Sequence, residues 1–152
     1  MAASSYASLL LFLLLVFLPW TRATRIRYCD RIGDYEVKVT AVDISPDPVI
    51  SGQPATFSVS ATTDKPIIEG TVEINVSLYG MLIHKETHKL CGETSCPILV
   101  GDFVISHSQS LPAFTPPGMY TLKMRMVGPD GHTLTCISFT FKIQFGSSVA
   151  DS

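Results

Sequence analysis

LPAFTPPGMYTLKMRMVGPDGHTLTCISFTFKIQF, residues 111–145, is the stretch that decides the fold. Its first part, Leu111-Pro-Ala-Phe-Thr-Pro-Pro-Gly118, is apolar and stiffened by proline. Tyr120, Leu122, Met124 and Met126 then alternate with Thr121, Lys123 and Arg125, the period of two that a half-buried strand requires. Gly128, Pro129, Asp130 and Gly131 make a turn. Beyond it Ile137, Phe139, Phe141, Ile143 and Phe145 alternate with Ser138, Thr140, Lys142 and Gln144. Two long adjacent strands thus present large, soft side chains to one side, behind a rigid loop.

The same period runs upstream. Residues 35–44 read as a strand with Val37 and Val39 on one face, closed by Ser45-Pro46-Asp47-Pro48. Residues 56–62 follow with Phe57, Val59 and Ala61 on one face. After Gly70, Val72, Ile74, Val76 and Leu78 alternate with Thr71, Glu73, Asn75 and Ser77. Gly80 reads as a bulge or bend, and residues 81–90, with poorer alternation, as an edge strand. Pro97 opens a segment that contains Phe103 and Ile105 and turns polar over residues 106–110. Seven or so short strands, turn signals between them and no amphipathic helix predict an antiparallel β-sandwich of immunoglobulin-like type. The Cys…Trp…Cys core of a true immunoglobulin domain is missing, because Trp20 lies ahead of the strands.

Residues 9–18 form an unbroken apolar run of ten, too short to span a bilayer and suited to a secretory signal. Thr21 and Ala23 supply the small-x-small pattern of a cleavage site. The expected organisation is a signal peptide over residues 1–23, a domain over 24–146 and a flexible tail over 147–152. Cleavage would remove Arg22, leaving ten basic residues against thirteen acidic ones and a net charge of −3. That balance, with its charges scattered, offers no footprint for nucleic acid and no polybasic membrane patch.

The four cysteines Cys29, Cys91, Cys96 and Cys136 all lie after the signal, and an even count there reads as two disulfides. Three pairings exist. Cys91 and Cys96 flank Gly-Glu-Thr-Ser and can meet across a tight turn, which leaves Cys29 with Cys136. Closing a loop of roughly a hundred residues contributes about 4–5 kcal/mol in the chain-entropy model. Zinc on four thiolates is disfavoured, since paired CxxC knuckles are absent.

Chemistry is hard to find. There is no G-x-S-x-G elbow and no phosphate loop. His84 and His88 share a strand face but lie about 13 Å apart, so they read as a solvated edge and not a metal pair. His107 and His132 read as lone. No catalysis, cofactor or metal is expected. Asn75-Val76-Ser77 is a glycosylation acceptor, and Asn75 faces outward if Ile74 and Val76 face inward. The apolar inventory is what remains, and by patterning alone it fits an ordinary packed core. Two details soften that: the adaptable Met124 and Met126, and Phe114 beside prolines in a connection where polar residues are usual.

Several features together resemble the ML (lipid-recognition) domain family. They are the signal peptide, Cys29 near the start of the domain, Ser95-Cys96-Pro97-Ile98, the Leu-Pro…Pro-Pro-Gly-x-Tyr stretch from Leu111 to Tyr120, and Cys136 in a late alternating strand. Pro46-Asp47-Pro48, Gly52-Gln53-Pro54 and Pro116-Pro117-Gly118 look nearest to the phosphatidylglycerol/phosphatidylinositol transfer subgroup, and the Niemann-Pick type C lysosomal cholesterol-transfer protein belongs to the same family. The resemblance covers residues 25–145. It implies two splayed sheets holding a lipid between them, and the pairs Cys29–Cys136 and Cys91–Cys96. The further small disulfide of the cholesterol carrier is absent.

An acyl chain of sixteen carbons represents on the order of 12 kcal/mol of burial at about 0.8 kcal/mol per CH2, so a carrier needs a comparably apolar cavity. The expected lipid contacts are Phe57, Val59, Val72, Ile74, Val76, Leu78, Phe103, Leu122, Met124, Met126, Phe139 and Phe141 as walls, with Phe114, Pro116, Pro117, Met119 and Tyr120 as the rim that meets a membrane. The resemblance thus implies a monomer that carries a phospholipid or sterol between membranes through transient membrane contact, in the extracellular space or a vacuole or lysosome lumen. The rival readings are a lipid-presenting or adhesion module acting with a membrane receptor, and an esterase-like enzyme.

Overall fold

Alternating apolar residues commit most of the chain to strands, because one face of each can be buried while the other meets water. The structure, a computed structural model, describes residues 2–16, 24–31 and 33–146. In order these are α1 (Ala2–Val16), β1 (Ile26–Tyr28), β2 (Val37–Ser45), β3 (Val49–Ile50), β4 (Pro54–Thr63), β5 (Thr71–Leu78), β6 (Met81–Lys89), α2 (Leu90–Glu93), β7 (Gly101–Ser110), β8 (Gly118–Val127) and β9 (Thr133–Gln144). One sheet runs β1-β9-β8-β5-β6, with β3 added in parallel on β9; the other runs β2-β4-β7. The remaining pairings are antiparallel. The two sheets form the expected sandwich.

Register fixes what faces inward. Ile74 pairs with Met124 and Val76 with Leu122, while Leu122 pairs with Phe139 and Tyr120 with Phe141. In the second sheet Val59 pairs with Val42 and Ile105, and Phe57 with Ile44 and His107. Met126, Ile137, Val37 and Val42 have almost no exposed surface and make a solid core.

The tight turn between β5 and β6 is Tyr79-Gly80, with φ of 51° and 80°. Two positive φ values make the type I′ geometry that matches strand twist. Gly80 is therefore the turn itself, and the bulge lies nearby: the register slips between Val76 and Ser77, leaving Ile83 unpaired opposite them. Phe145 lies past the end of β9 and is mostly exposed, so the inward alternation stops at Ile143.

Both disulfides are present. Tyr28 pairs with Ile137 and the Cys29 amide donates to the Cys136 carbonyl at 3.0 Å, so the sheet itself aligns Cys29 with Cys136 across 107 positions. Cys91–Cys96 closes the short loop that begins with α2. Helix α1 carries residues 9–16 of the apolar run, and among the described residues no helix is long and apolar enough to cross a membrane. The expected cleavage site at Thr21 and Ala23 and the tail 147–152 lie outside the described residues.

Candidate functional site

The inward side chains do not meet everywhere. Towards the β6 and β7 edges the sheets enclose a cavity of about 250 Å³. That is a little under the roughly 300–1,000 Å³ of small-molecule sites. Its walls are apolar: Val72, Ile74 and Val76 from β5, Tyr120, Leu122 and Met124 from β8, Phe139, Phe141 and Ile143 from β9, and Phe57 and Val59 from β4. The aromatic rings are ordered by one another. Phe57 meets Phe141 edge-on at 5.3 Å between centroids, and Phe141 stacks on Tyr120 at 5.7 Å.

Of the seventeen residues expected to touch lipid, the structure puts ten on this cavity: Phe57, Val59, Val72, Ile74, Val76, Tyr120, Leu122, Met124, Phe139 and Phe141. Leu78 and Phe103 are half-buried against the core beside it, and Met126 is sealed in the solid part. Phe114, Pro116, Pro117 and Met119 point to solvent.

The loop before β8 covers one end of the cavity with Leu111, Pro112 and Thr115. Its position follows from three hydroxyls. Ser51 donates to the Thr115 carbonyl at 2.8 Å, Thr115 to the Pro112 carbonyl at 2.7 Å, and Tyr120 to the Pro116 carbonyl at 2.6 Å. Burial, with the nearby Tyr79 phenol, pushes the Tyr120 pKa up, which keeps its hydroxyl a donor.

The open side is polar. β6 pairs with β5 so that His84, Glu86 and His88 stand beside Val76, Ile74 and Val72, on the inward face. His107 reaches the same place from β7, and Glu93 from α2. His88 Nε2 lies 2.8 Å from Glu86 Oε2, and His107 Nε2 is 3.5 Å from the same oxygen. The other ring nitrogens turn to Glu93: Oε1 is 3.1 Å from His107 Nδ1 and 3.6 Å from His88 Nδ1. The two rings lie 4.6 Å apart, and His84 binds the second oxygen of Glu86. Burial pushes the Glu86 pKa up, but hydrogen bonds from His84 and His88 and the charges of His84 and His107 outweigh it, so the carboxyl lies below its ordinary range.

This seam corrects two sequence readings. His84 and His88 belong to an edge strand, yet both border the gap between the sheets; His88 is half-buried there, while His84, at its rim, stays exposed to solvent. His107 is not lone, because its neighbours come from another sheet and from α2. Sequence reasoning also passed over Ile83, Gln109 and Ser110, which line the cavity with Glu86 and Glu93. The Tyr79-Gly80 turn held part of the signal: a two-residue hairpin loop pairs Leu78 with Met81 and Ser77 with Leu82, but on its own it would set Lys85 opposite Ile74, and the slip at Ile83 is what brings Glu86 there.

A family model described as ML domain matches residues 23–143. A phosphatidylglycerol/phosphatidylinositol transfer protein of Candida albicans is 35% identical over 123 residues, 76% of this chain and 63% of that protein. The chain thus spans somewhat less than two thirds of the length of that relative. The MD-2-related lipid-recognition protein ROSY1 of Arabidopsis thaliana is 31% identical over 151 residues, 93% of this chain and 92% of that one. Among solved structures, a Niemann-Pick type C2 protein from the Japanese carpenter ant superposes with a TM-score of 0.63 at 16% identity, over 79% of this chain and 99% of that one. At that identity the likeness concerns the fold.

Proposed function

We propose a function from one premise: this chain belongs to the ML domain family. It is a lipid-binding protein that holds a phospholipid or sterol non-covalently between its two sheets and transfers it between membranes. One observation carries the reading: the inner faces of four strands leave an apolar cavity where a sandwich normally has packed side chains. The names of the relatives from Candida and Arabidopsis point to lipid as the class of ligand, and to phospholipid first. The ten cavity residues above are its contacts with the acyl or ring system. Phe114, Pro116, Pro117 and Met119, exposed on the loop at one end, are its contacts with the bilayer. Because the cavity is small, a two-chain lipid requires the sheets to part, and the β6 and β7 edges, which lack a common hydrogen-bond ladder, are where they part.

The reading is that of a monomeric carrier and not an enzyme, and turnover abolished by replacing a single Ser or His would overturn it. Two disulfides imply an oxidising compartment. With the apolar segment 9–18 they support a signal peptide over 1–23, passage through the secretory pathway and an extracellular, vacuolar or lysosomal destination for the domain 24–146. Asn75, on the outward face of β5, is its acceptor for glycosylation, and a mass removed by glycosidase and absent from Asn75→Gln checks that.

The central test is chemical. Protein purified from secreting cells is extracted with organic solvent and the extract identified by mass spectrometry. A stoichiometric lipid is expected. Empty protein that also takes up neither fluorescent phospholipid nor fluorescent sterol would sink the proposal. Transfer kinetics between vesicles then separate a carrier from a domain that presents lipid to a membrane receptor.

A further inference from the structure

Glu86 and His88 leave β6 two residues apart, so strand geometry sends both to the same face. His107 meets them from the facing sheet, and one ligand-type atom from each of the three lies within 4.8 Å of the others. The pattern of nitrogens is informative. Both Nε2 atoms face Glu86, and both Nδ1 atoms face Glu93. A neutral imidazole has one N–H and cannot satisfy a carboxylate at each nitrogen. The two rings and two carboxylates, all partly buried, thus gather in one place the donor types that a divalent transition metal takes.

We propose that Glu86, His88 and His107 form a zinc site that joins β6 to β7 along the side of the cavity. Both His Nε2 atoms and a Glu86 oxygen are the ligands. Glu93 holds the Nδ1–H of His107 at 3.1 Å and lies 3.6 Å from Nδ1 of His88, the place of the outer hydrogen-bond partner that metal-bound histidines almost always have. Donors around a tetrahedral zinc at about 2.0–2.2 Å stand roughly 3.3–3.5 Å from one another. Glu86 Oε2 already lies 2.8 Å and 3.5 Å from the two Nε2 atoms, so side-chain adjustment is enough to close the shell. Two imidazoles and one carboxylate suit zinc and its transition-metal neighbours; calcium and magnesium ask for six or more oxygens. Cys91–Cys96 braces the α2 turn that carries Glu93, and the other three residues stand on strands. Three protein ligands leave one position open. Glu86 and His107 both line the cavity, so that position faces its polar edge.

The experiment uses the full secreted protein, stripped with a chelator and dialysed. Zinc is titrated in competition with a chromophoric chelator, and cobalt is bound in parallel to read coordination from its visible spectrum. One equivalent per chain and a tetrahedral cobalt band are expected. Glu86→Gln, His88→Gln and His107→Gln should each abolish the band, and Glu93→Gln should weaken zinc binding by roughly 10–100-fold as an outer partner. His132→Ala, a histidine remote from the seam, should change nothing. Thermal melting in excess chelator controls for folding: the variants should melt with the stripped wild type, and zinc should raise the midpoint of the wild type and of His132→Ala but not of the three ligand variants. Stripped wild type that takes up no stoichiometric zinc, or a cobalt band that survives in Glu86→Gln and His107→Gln, overturns the site. Lipid extraction is independent of this readout, so a lipid-loaded protein that ignores zinc rejects the metal site and leaves the carrier reading intact.

Discussion

Met124 and Met126 stand two residues apart on the same face of β8, and the space around them differs. Met126 has no exposed surface and is packed on all sides; Met124 is nearly as buried but borders the cavity. Truncating a packed Met leaves a new hole, at about 2–5 kcal/mol. Truncating a side chain that already borders empty space only widens it, and fewer contacts are lost. Met126→Ala should therefore cost about 2–5 kcal/mol, and Met124→Ala less than half as much, in chemical denaturation of the lipid-free protein. Lipid uptake should respond the other way, falling in Met124→Ala with Met126→Ala near wild type once corrected for the folded fraction. Equal destabilisation by the two would mean the space beside Met124 is filled. This distinction was not legible in the sequence. The alternation Tyr120, Leu122, Met124, Met126 says which side chains face inward, and nothing in it says where the facing sheet stops touching them.

The elements were easier to read than their edges. β5, β8 and β9 were evident because each buries one face along most of its length, so the period of two is complete. β6 was harder. Its inward face carries His84, Glu86 and His88, which look like solvent-facing residues, and the slip at Ile83 breaks the alternation. The four-residue α2 is too short to leave a periodic pattern at all. What positions β6 is the turn before it together with the slip at Ile83. A Cβ at Gly80 would meet nothing within 4 Å, so glycine is there for its φ of 80° and not for space. An L-residue in the left-handed region costs roughly 1–2 kcal/mol. Gly80→Ala should therefore destabilise by about 1 kcal/mol while the cavity keeps its lipid stoichiometry, since Tyr79 already tolerates positive φ and the hairpin register is also held by eight strand pairs. A loss of lipid binding in that variant, with the fold intact, would show that the register of β6 is set by the turn alone.

At the scale of the whole molecule the two disulfides differ in what they restrain. Cys29–Cys136 closes 107 positions and Cys91–Cys96 closes five. Loop entropy assigns them about 4–5 and about 2 kcal/mol. Replacing the first pair by serine should therefore lower stability at least twice as much as replacing the second, in denaturant melts of protein made without either. Both pairs were legible because Cys91 and Cys96 flank a short turn and the even count then leaves Cys29 with Cys136, as the family resemblance also implies; the cavity became legible only through that resemblance.

The remaining question at this scale is how a closed sandwich reaches a bilayer, and the distribution of exposed apolar side chains bears on it. Phe114 is 84% exposed, Met119 53%, Tyr79 82% and Met81 68%. They gather at one end, because Leu78 pairs with Tyr120 and the Tyr79 hydroxyl approaches Gly118. The covering residues Leu111, Pro112 and Thr115 of the cavity belong to the same loop as Phe114. A single Phe moved from water into the acyl boundary gains about 1.5–3 kcal/mol, and each 1.4 kcal/mol is tenfold in partition. Phe114→Asp removes that gain without touching a cavity wall. Its equilibrium lipid content should match the wild type, while transfer of fluorescent lipid between vesicles should slow by roughly tenfold or more. Transfer at the wild-type rate would move the membrane contact away from this end, towards the β6 and β7 edges where the histidine seam lies.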